Sequence, residues 1–291
     1  PALDLLFVGA TLLGEEYFYL AFLPLVYWCL DRRLGVRLAY LALLSNYVVG
    51  WAKLVYSIPR PADPRIAPLR LEDSPSFPSG HAQNAAALWG YLALQVRRAW
   101  FWAVAVILVV LIAVSRVYVG VHYPQDLIGG LLGGVILLAF YVSVGDRLVA
   151  PWLRRRSLAV RLGLGVAVPL ILLLIYPADY LGRYPAENAA TIVGALMGMS
   201  VGFPLAERYV RFGVAGSWWQ RLLRLAVGGV LVALCYAGPK WLLPEAMSAG
   251  VETAARVSRY ALVGLATSWL APWAFVRLGL ARPDATPGIT N

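Results

Sequence analysis

Residues 99–121 read AWFWAVAVILVVLIAVSRVYVGV, an unbroken apolar run with one charge, Arg116, near its far end. A helix needs about 20 mainly apolar residues to cross the hydrocarbon of a bilayer. Inside a bilayer every backbone polar group must find an internal partner, which leaves only helices and closed barrels. Barrel strands alternate apolar and polar residues, and this run does not, so it reads as a spanning helix. The same reading extends in both directions. It predicts nine spans, at about 16–31, 36–57, 79–96, 99–121, 124–145, 159–177, 188–206, 222–243 and 257–277. The expected fold is an all-α, polytopic transmembrane helical bundle. Residues 2–14 are apolar but too short to cross, and fit an interfacial helix.

Composition agrees. Of 291 residues, 60% are hydrophobic and 14% charged, against about 25% charged in soluble domains, and the mean hydropathy is +0.70. The net charge of +10 would suggest nucleic acid in a soluble protein. Here the arginines cluster in short connections: Arg32, Arg33 and Arg37; Arg97 and Arg98; Arg147, Arg154, Arg155, Arg156 and Arg161; then Arg208, Arg211, Arg221, Arg224, Arg277 and Arg282. They set orientation by the positive-inside rule, so no nucleic-acid partner is expected. This side, with the C-terminus, should be cytoplasmic, and the proline-rich loop 58–78 should face outward. Residues 1–14 lack the basic region of a cleavable signal peptide. Cys29 and Cys235 lie in apolar runs and offer neither a disulfide framework nor metal-ligand spacing.

Histidine and lysine are scarce: only His81, His122, Lys53 and Lys240 occur. Polar residues inside a membrane protein are functional candidates because charge in the bilayer is costly. Lys53 ends the second span, and Pro59 and Pro61 stop the helix and turn Arg60 back over it. Two cations at one membrane edge suit an anion, although a snorkelling lysine explains Lys53 as well. Pro78-Ser79-Gly80-His81 opens the third span. Ser79 is a natural N-cap, Gly80 leaves the backbone approachable, and free helix N–H groups bind anions. His81 can exchange a proton near neutral pH, or be an ordinary interfacial histidine. Arg116 closes the fourth span, His122 sits in the tight connection before Pro124, and Asp126 follows four residues later. A carboxylate one turn away can fix the imidazole tautomer and free the other nitrogen to attack. Helix-dipole and snorkelling roles explain Asp126 and Arg116 singly, but not their joint spacing.

These segments resemble the three signature motifs of the type 2 phosphatidic acid phosphatase (lipid phosphate phosphatase) family, related to vanadium haloperoxidases. The pattern is Lys-x6-Arg-Pro, Pro-Ser-Gly-His and Ser-Arg-x5-His-x3-Asp, and all its specified positions are met. Gly14-Glu15-Glu16-Tyr17-Phe18-Tyr19 and Pro59-Arg60-Pro61-Ala62-Asp63-Pro64 look most like the sphingosine-1-phosphate phosphatase branch, from which Gly80 departs, since that branch usually has threonine there. The resemblance implies a phosphatase core over 1–145, with 146–291 as additional transmembrane helices of unknown role. It implies a membrane hydrolase of lipid phosphate or diphosphate esters acting through phosphohistidine. His122 would be the nucleophile, Asp126 its orienter and His81 the acid and then the base. Lys53, Arg60, Ser79, Gly80 and Arg116 would bind phosphate. No metal and no cofactor are expected. A lipid phosphotransferase using the same motifs, or a lipid-phosphate transporter, are the alternatives. The expected site lies on the outer face of a plasma (bacterial inner) membrane, and the expected partners are the lipid substrate and surrounding membrane lipids.

Gln83 and Asn84, one turn inside the third span, could touch the catalytic groups or tie helices together. Glu15 and Glu16 could border the pocket or be solvated interfacial acids. The small-residue pairs Gly129, Gly130, Gly133 and Gly134, and Gly194, Gly198 and Gly202, read as packing faces within the chain or in a homodimer.

Overall fold

The computed structural model describes residues 2–62, 72–178, 187–242 and 248–283, and among them every regular element is helical. Twelve α-helices follow in order: α1 (Ala2–Leu12), α2 (Glu16–Leu25), α3 (Arg32–Tyr56), α4 (Gly80–Val96), α5 (Ala99–Tyr118), α6 (Pro124–Phe140), α7 (Ala150–Arg154), α8 (Leu158–Leu174), α9 (Glu187–Leu205), α10 (Trp218–Leu242), α11 (Ala249–Leu265) and α12 (Ala271–Arg277). Short π-helical turns follow α2, α6, α9 and α11. All four turns lie within two residues of a proline, at Pro24, Pro151, Pro204 and Pro272, where a missing backbone donor disturbs the i→i−4 ladder.

All nine expected segments are helical over most of their length, but the count of nine spans is not reproduced. Among the described residues, five helices are long and apolar enough to cross a membrane: Arg32–Tyr56, Ala99–Tyr118, Pro124–Arg154, Glu187–Val210 and Trp218–Gly238. A sixth is reached if Leu3–Leu12 and Glu16–Leu30, bent by 55° at their junction, form one broken span. The others fall short for separate reasons. α4 has 17 residues and carries His81, Gln83 and Asn84. α8 is apolar but also has only 17 residues. α11 carries Glu252, Arg256 and Arg259.

The chain divides into two compact units. The first comprises 1–22, 38–152 and 177–183. Its centre is the packing of α4 on α5 and α6, with Ala82, Ala113 and Leu127 buried together against Val117 and Leu131. The glycines of α6 set this approach. A Cβ at Gly130 would lie 2.4 Å from the Ser79 carbonyl oxygen, and one at Gly134 would lie 2.5 Å from that of Gln83. α3 is tied to α4 by polar links: Gln83 Nε2 donates to Ser45 O (3.0 Å), and Asn84 Nδ2 donates to Asn46 Oδ1 (3.2 Å). Gln83 and Asn84 therefore serve as links between helices. α1 leans on α5, with Phe7 stacked on Tyr118 and the Tyr118 hydroxyl donating to Asp4.

The second unit comprises 23–37, 153–176 and 184–291. The Gly194, Gly198 and Gly202 face is used inside this unit. Cβ atoms there would strike Val257 O, Ala261 O and Ser268 Oγ. Arg224, read from the sequence as an orienting loop charge, is fully buried. Its guanidinium donates to the carbonyls of Trp28, Val214, Ala215 and Leu280 and so ties together segments distant in sequence. Cys29 is buried, and both cysteines are free thiols.

Candidate active site

All the candidate residues fall in the first unit, and most gather around His122. The turn that presents His122 is fixed by its backbone. α5 ends at Tyr118, and Gly120 adopts φ +78°. Gly120 N donates to Val117 O and Val121 N to Arg116 O, the paired bonds of a Schellman C-cap with glycine in the left-handed place. Pro124 then starts α6 at its first position, where a missing N–H costs nothing. The link between the two helices is thus short, and His122 is held in it, 4% exposed.

Asp126, in the first turn of α6, is fully buried. Its Oδ2 accepts from Tyr123 N (2.8 Å), from the Ser76 hydroxyl and from His122 Nδ1 (3.2 Å). A carboxylate on Nδ1 keeps the ring proton there and leaves the Nε2 lone pair exposed for chemistry. Arg60 Nη1 stands 3.3 Å from that Nε2 and donates to Val121 O at 2.7 Å. Burial, and then the charges of Arg60, Lys53 and Arg116, hold the His122 imidazole far below its usual pKa and therefore neutral. A neutral imidazole with one nitrogen oriented and the other facing a guanidinium suits attack on an electrophilic phosphorus.

The cations arrive from three elements. α3 stops at Tyr56, where Ser57 takes a left-handed φ of +47°, and the chain turns so that Arg60 reaches the site. Arg60 Nη2 pairs with Glu72 Oε2 at 3.1 Å, and its Nε donates to Ser74 O at 2.7 Å. Arg116 is fully buried at the end of α5. It donates to Thr11 Oγ1 (2.8 Å) and pairs with Glu72 Oε1. Glu72 thus bridges the two guanidiniums. Burial would raise its pKa, but Arg116 and Arg60 outweigh burial and hold it ionised, below the usual carboxylate value. Lys53 sits on the edge of this arrangement, with its ammonium on Pro75 O and Ser74 Oγ (3.2 Å). It therefore steadies the loop that leads into α4.

Ser79 caps α4. Its Oγ accepts from Ala82 N, and its own N–H donates to Asp126 O at 3.0 Å, which joins the starts of α4 and α6. The amides of the first turn, from Gly80 on, have no intrahelical acceptor. A side chain would fit at Gly80, where a Cβ would meet only Val49 methyls at 3.7 Å and 3.8 Å. His81 follows in that first turn, with Nε2 3.4 Å from Glu15 Oε1.

Two participants, Ser76 and Glu72, were not singled out from the sequence, and a third, Glu15, was left open between a pocket border and a solvated acid. Ser76 bonds Asp126 and lies 3.3 Å from His122 Nδ1, but it belongs to no motif used above. Glu72 is one of several alternating loop charges. Three of those loop charges, Asp63, Arg65 and Arg70, lie outside the described residues. Among the described residues, no group of three or more His, Cys, Asp and Glu side chains comes together as a metal site.

Comparison with known proteins gives this arrangement its family. Residues 34–149 match the PAP2 superfamily, and residues 190–283 match the transmembrane extension of PAP2 superfamily phosphatases. Phosphatidylglycerophosphatase B of Bacillus subtilis is 32% identical over 150 residues, covering 47% of this chain and 72% of that protein. The chain belongs to the PAP2 superfamily, and it is an integral membrane protein. Lipid phosphate phosphatase delta of Arabidopsis thaliana is 30% identical over 227 residues, covering 72% of this chain and 53% of the relative. Mouse sphingosine-1-phosphate phosphatase 2 is 31% identical over 211 residues, covering 68% and 57%. The chain spans about half the length of these last two relatives. The match to the extension gives residues 190–283 a place within the superfamily, although the sequence alone tied no chemistry to them.

Proposed function

We propose that this PAP2 member is a lipid phosphate phosphatase that hydrolyses a lipid phosphate or diphosphate ester through a phosphohistidine on His122. The observation that carries the reading is His122 itself. It is neutral and buried, with Nδ1 on Asp126 and Nε2 beside a guanidinium. Binding alone would need neither a nucleophile nor an oriented tautomer. Glu72 supports the same reading, because its carboxylate sits between Arg60 and Arg116 as a phosphate's oxygens would. In the proposed cycle Asp126 orients His122, and Arg60, Arg116, Lys53 and the first-turn amides at Ser79 and Gly80 stabilise the equatorial oxygens. His81 gives a proton to the leaving lipid oxygen and later takes one from water. The three cations supply the charge neutralisation, so the reaction proceeds without a metal ion.

The named activities of the relatives point to a phosphomonoester on a lipid, with phosphatidylglycerophosphate and long-chain-base phosphates as the first substrates to compare. Withdrawing a long tail into water costs about 0.8 kcal/mol per CH₂, so the substrate enters sideways with its tail left in the hydrocarbon. We place the site at the outer face of the plasma (bacterial inner) membrane, with the C-terminus cytoplasmic and 1–145 forming the catalytic core. The test is phosphate release by the detergent-purified protein from phosphatidate, phosphatidylglycerophosphate, a polyprenyl diphosphate and a long-chain-base phosphate. The experiment is repeated in EDTA and with His122→Ala. Release that survives EDTA and vanishes in the variant supports the proposal. Release from none of the lipids, or release that needs added magnesium, contradicts it. Cysteines placed at Ala62 and Arg155 test orientation, since only the first should label from outside intact cells.

A further inference from the structure

The proposed reaction leaves one carboxylate without a task. Glu15 Oε1 lies 3.4 Å from His81 Nε2 and 3.8 Å from Arg116 Nη1, with the Glu15 side chain 17% exposed and that of His81 15% exposed. The contact is built into the fold. Glu15 occupies the 55° break between α1 and α2. The residue before it, Gly14, rests against the imidazole so closely that a Cβ there would lie 2.6 Å from His81 Cδ2 and 2.8 Å from Ile112 Cγ2. Only glycine lets the break seat on the ring, and that seating delivers the next side chain to Nε2.

We propose that Glu15 is a positioning residue whose charge, 3.4 Å from Nε2, keeps His81 protonated for donation to the leaving oxygen. The inference rests on the phosphohistidine reading above. In the first step His122 Nε2 bonds to phosphorus, and the bond from phosphorus to the lipid oxygen breaks with its electron pair on oxygen. The proton of His81 Nε2 goes to that oxygen, which leaves as the alcohol. In the second step the now neutral His81 takes a proton from water, and the resulting hydroxide bonds to phosphorus. The P–N electrons return to His122, phosphate leaves, and His81 has regained its proton.

The charges around His81 explain why Glu15 matters. Glu15 from the α1–α2 break and Glu72 from the loop favour the imidazolium, while Arg116 from α5 opposes it. His122, itself neutral, also interacts with His81, while the charges of Arg60 and Lys53 act on His122. An incoming phosphate competes with Glu72 for Arg60 and Arg116. Glu15, held at the α1–α2 break, goes on favouring the imidazolium until the Nε2 proton passes to the leaving oxygen.

The test compares Glu15→Gln with the wild type on a long-chain alkyl phosphate and on 4-nitrophenyl phosphate across pH. An alkoxide needs a proton to leave and 4-nitrophenolate does not. The expected result is a loss of roughly 100-fold in kcat on the alkyl ester, with the alkaline limb displaced to lower pH. The first-turnover release of 4-nitrophenolate, which precedes the water step, should stay within about 2-fold, in keeping with a loss of proton donation in the first step. Glu15→Asp should recover part of the loss, and the exposed neighbour tested as Glu16→Gln should match the wild type. Equal losses on both esters would mean a structural role and overturn the inference, as would an unchanged rate on the alkyl ester. A wild-type protein that releases phosphate from neither ester overturns the phosphatase reading and the Glu15 role with it.

Discussion

Gly130→Ala should separate two halves of the site without touching a catalytic side chain. The glycine lies where α6 crosses the start of α4, and an added Cβ would sit 2.4 Å from Ser79 O and 3.0 Å from Ala82 Cβ. The nearer atom is backbone and cannot swing aside. Restoring ordinary contact moves the two helices apart by about 1 Å at that point, and overpacking of this kind costs about 1–3 kcal/mol. The displacement matters more than the stability. α4 carries Ser79 and His81, and α6 carries Asp126 and through it orients His122. A misplacement of about 1 Å between catalytic groups lowers rates by roughly 100-fold. The assay is kcat for phosphate release by folded protein in detergent, beside a thermal melt. Gly163→Ala and Gly229→Ala serve as controls, because a Cβ at either position meets nothing within 4 Å. A wild-type kcat in Gly130→Ala, with the controls also unchanged, would refute the claim that this crossing sets the active geometry.

Asp126→Asn should lower kcat by roughly 100-fold or more, since an amide can hold the wrong tautomer of His122; near-normal turnover would show that Asp126 does not orient the nucleophile. Glu72→Gln should bind orthovanadate roughly tenfold more tightly, about 1.4 kcal/mol, because a neutral side chain no longer competes for Arg60 and Arg116; weaker inhibition would mean that Glu72 aligns those guanidiniums. His122 is depressed far below the usual histidine range by burial and nearby cations, so falling pH should not protonate it in the folded protein. Its NMR shifts should stay those of a neutral ring at pH 5, whereas an exposed histidine titrates near 6.5; a His122 midpoint between 6 and 7 would contradict the electrostatic account.

The helices and the motif residues were legible in the sequence for different reasons. The run 99–121 shows α5 because lipid contact demands continuous apolar residues, and Pro124 marks the end of the turn that holds His122. α4 was located, although with 17 residues and with His81, Gln83 and Asn84 it falls short of the length and apolarity that mark a spanning helix. Asp126 was readable because it is four residues from His122, within one helical turn. Glu15 and Glu72 reach the site only through tertiary folding. Glu15 is set by the α1–α2 break and by Gly14 against His81, and Glu72 by a loop that brings it onto Arg116 from far along the chain. Ser76 was not legible because a single serine between Pro75 and Phe77 carries no local signal, and its partner Asp126 is 50 residues away.

The central claim is that His122 becomes covalently phosphorylated, and trapping the intermediate tests it most directly. The purified protein is mixed with a lipid phosphate labelled with ³²P, quenched in base within milliseconds, digested and mapped. The account predicts label on the peptide containing His122, stable in base and lost in acid as a phosphoramidate should be. It also predicts none in His122→Ala, and more label when His81→Ala slows the water step with a substrate whose leaving group needs no proton. Steady phosphate release with no label on His122 at any quench time, or label retained in His122→Ala, would contradict the account.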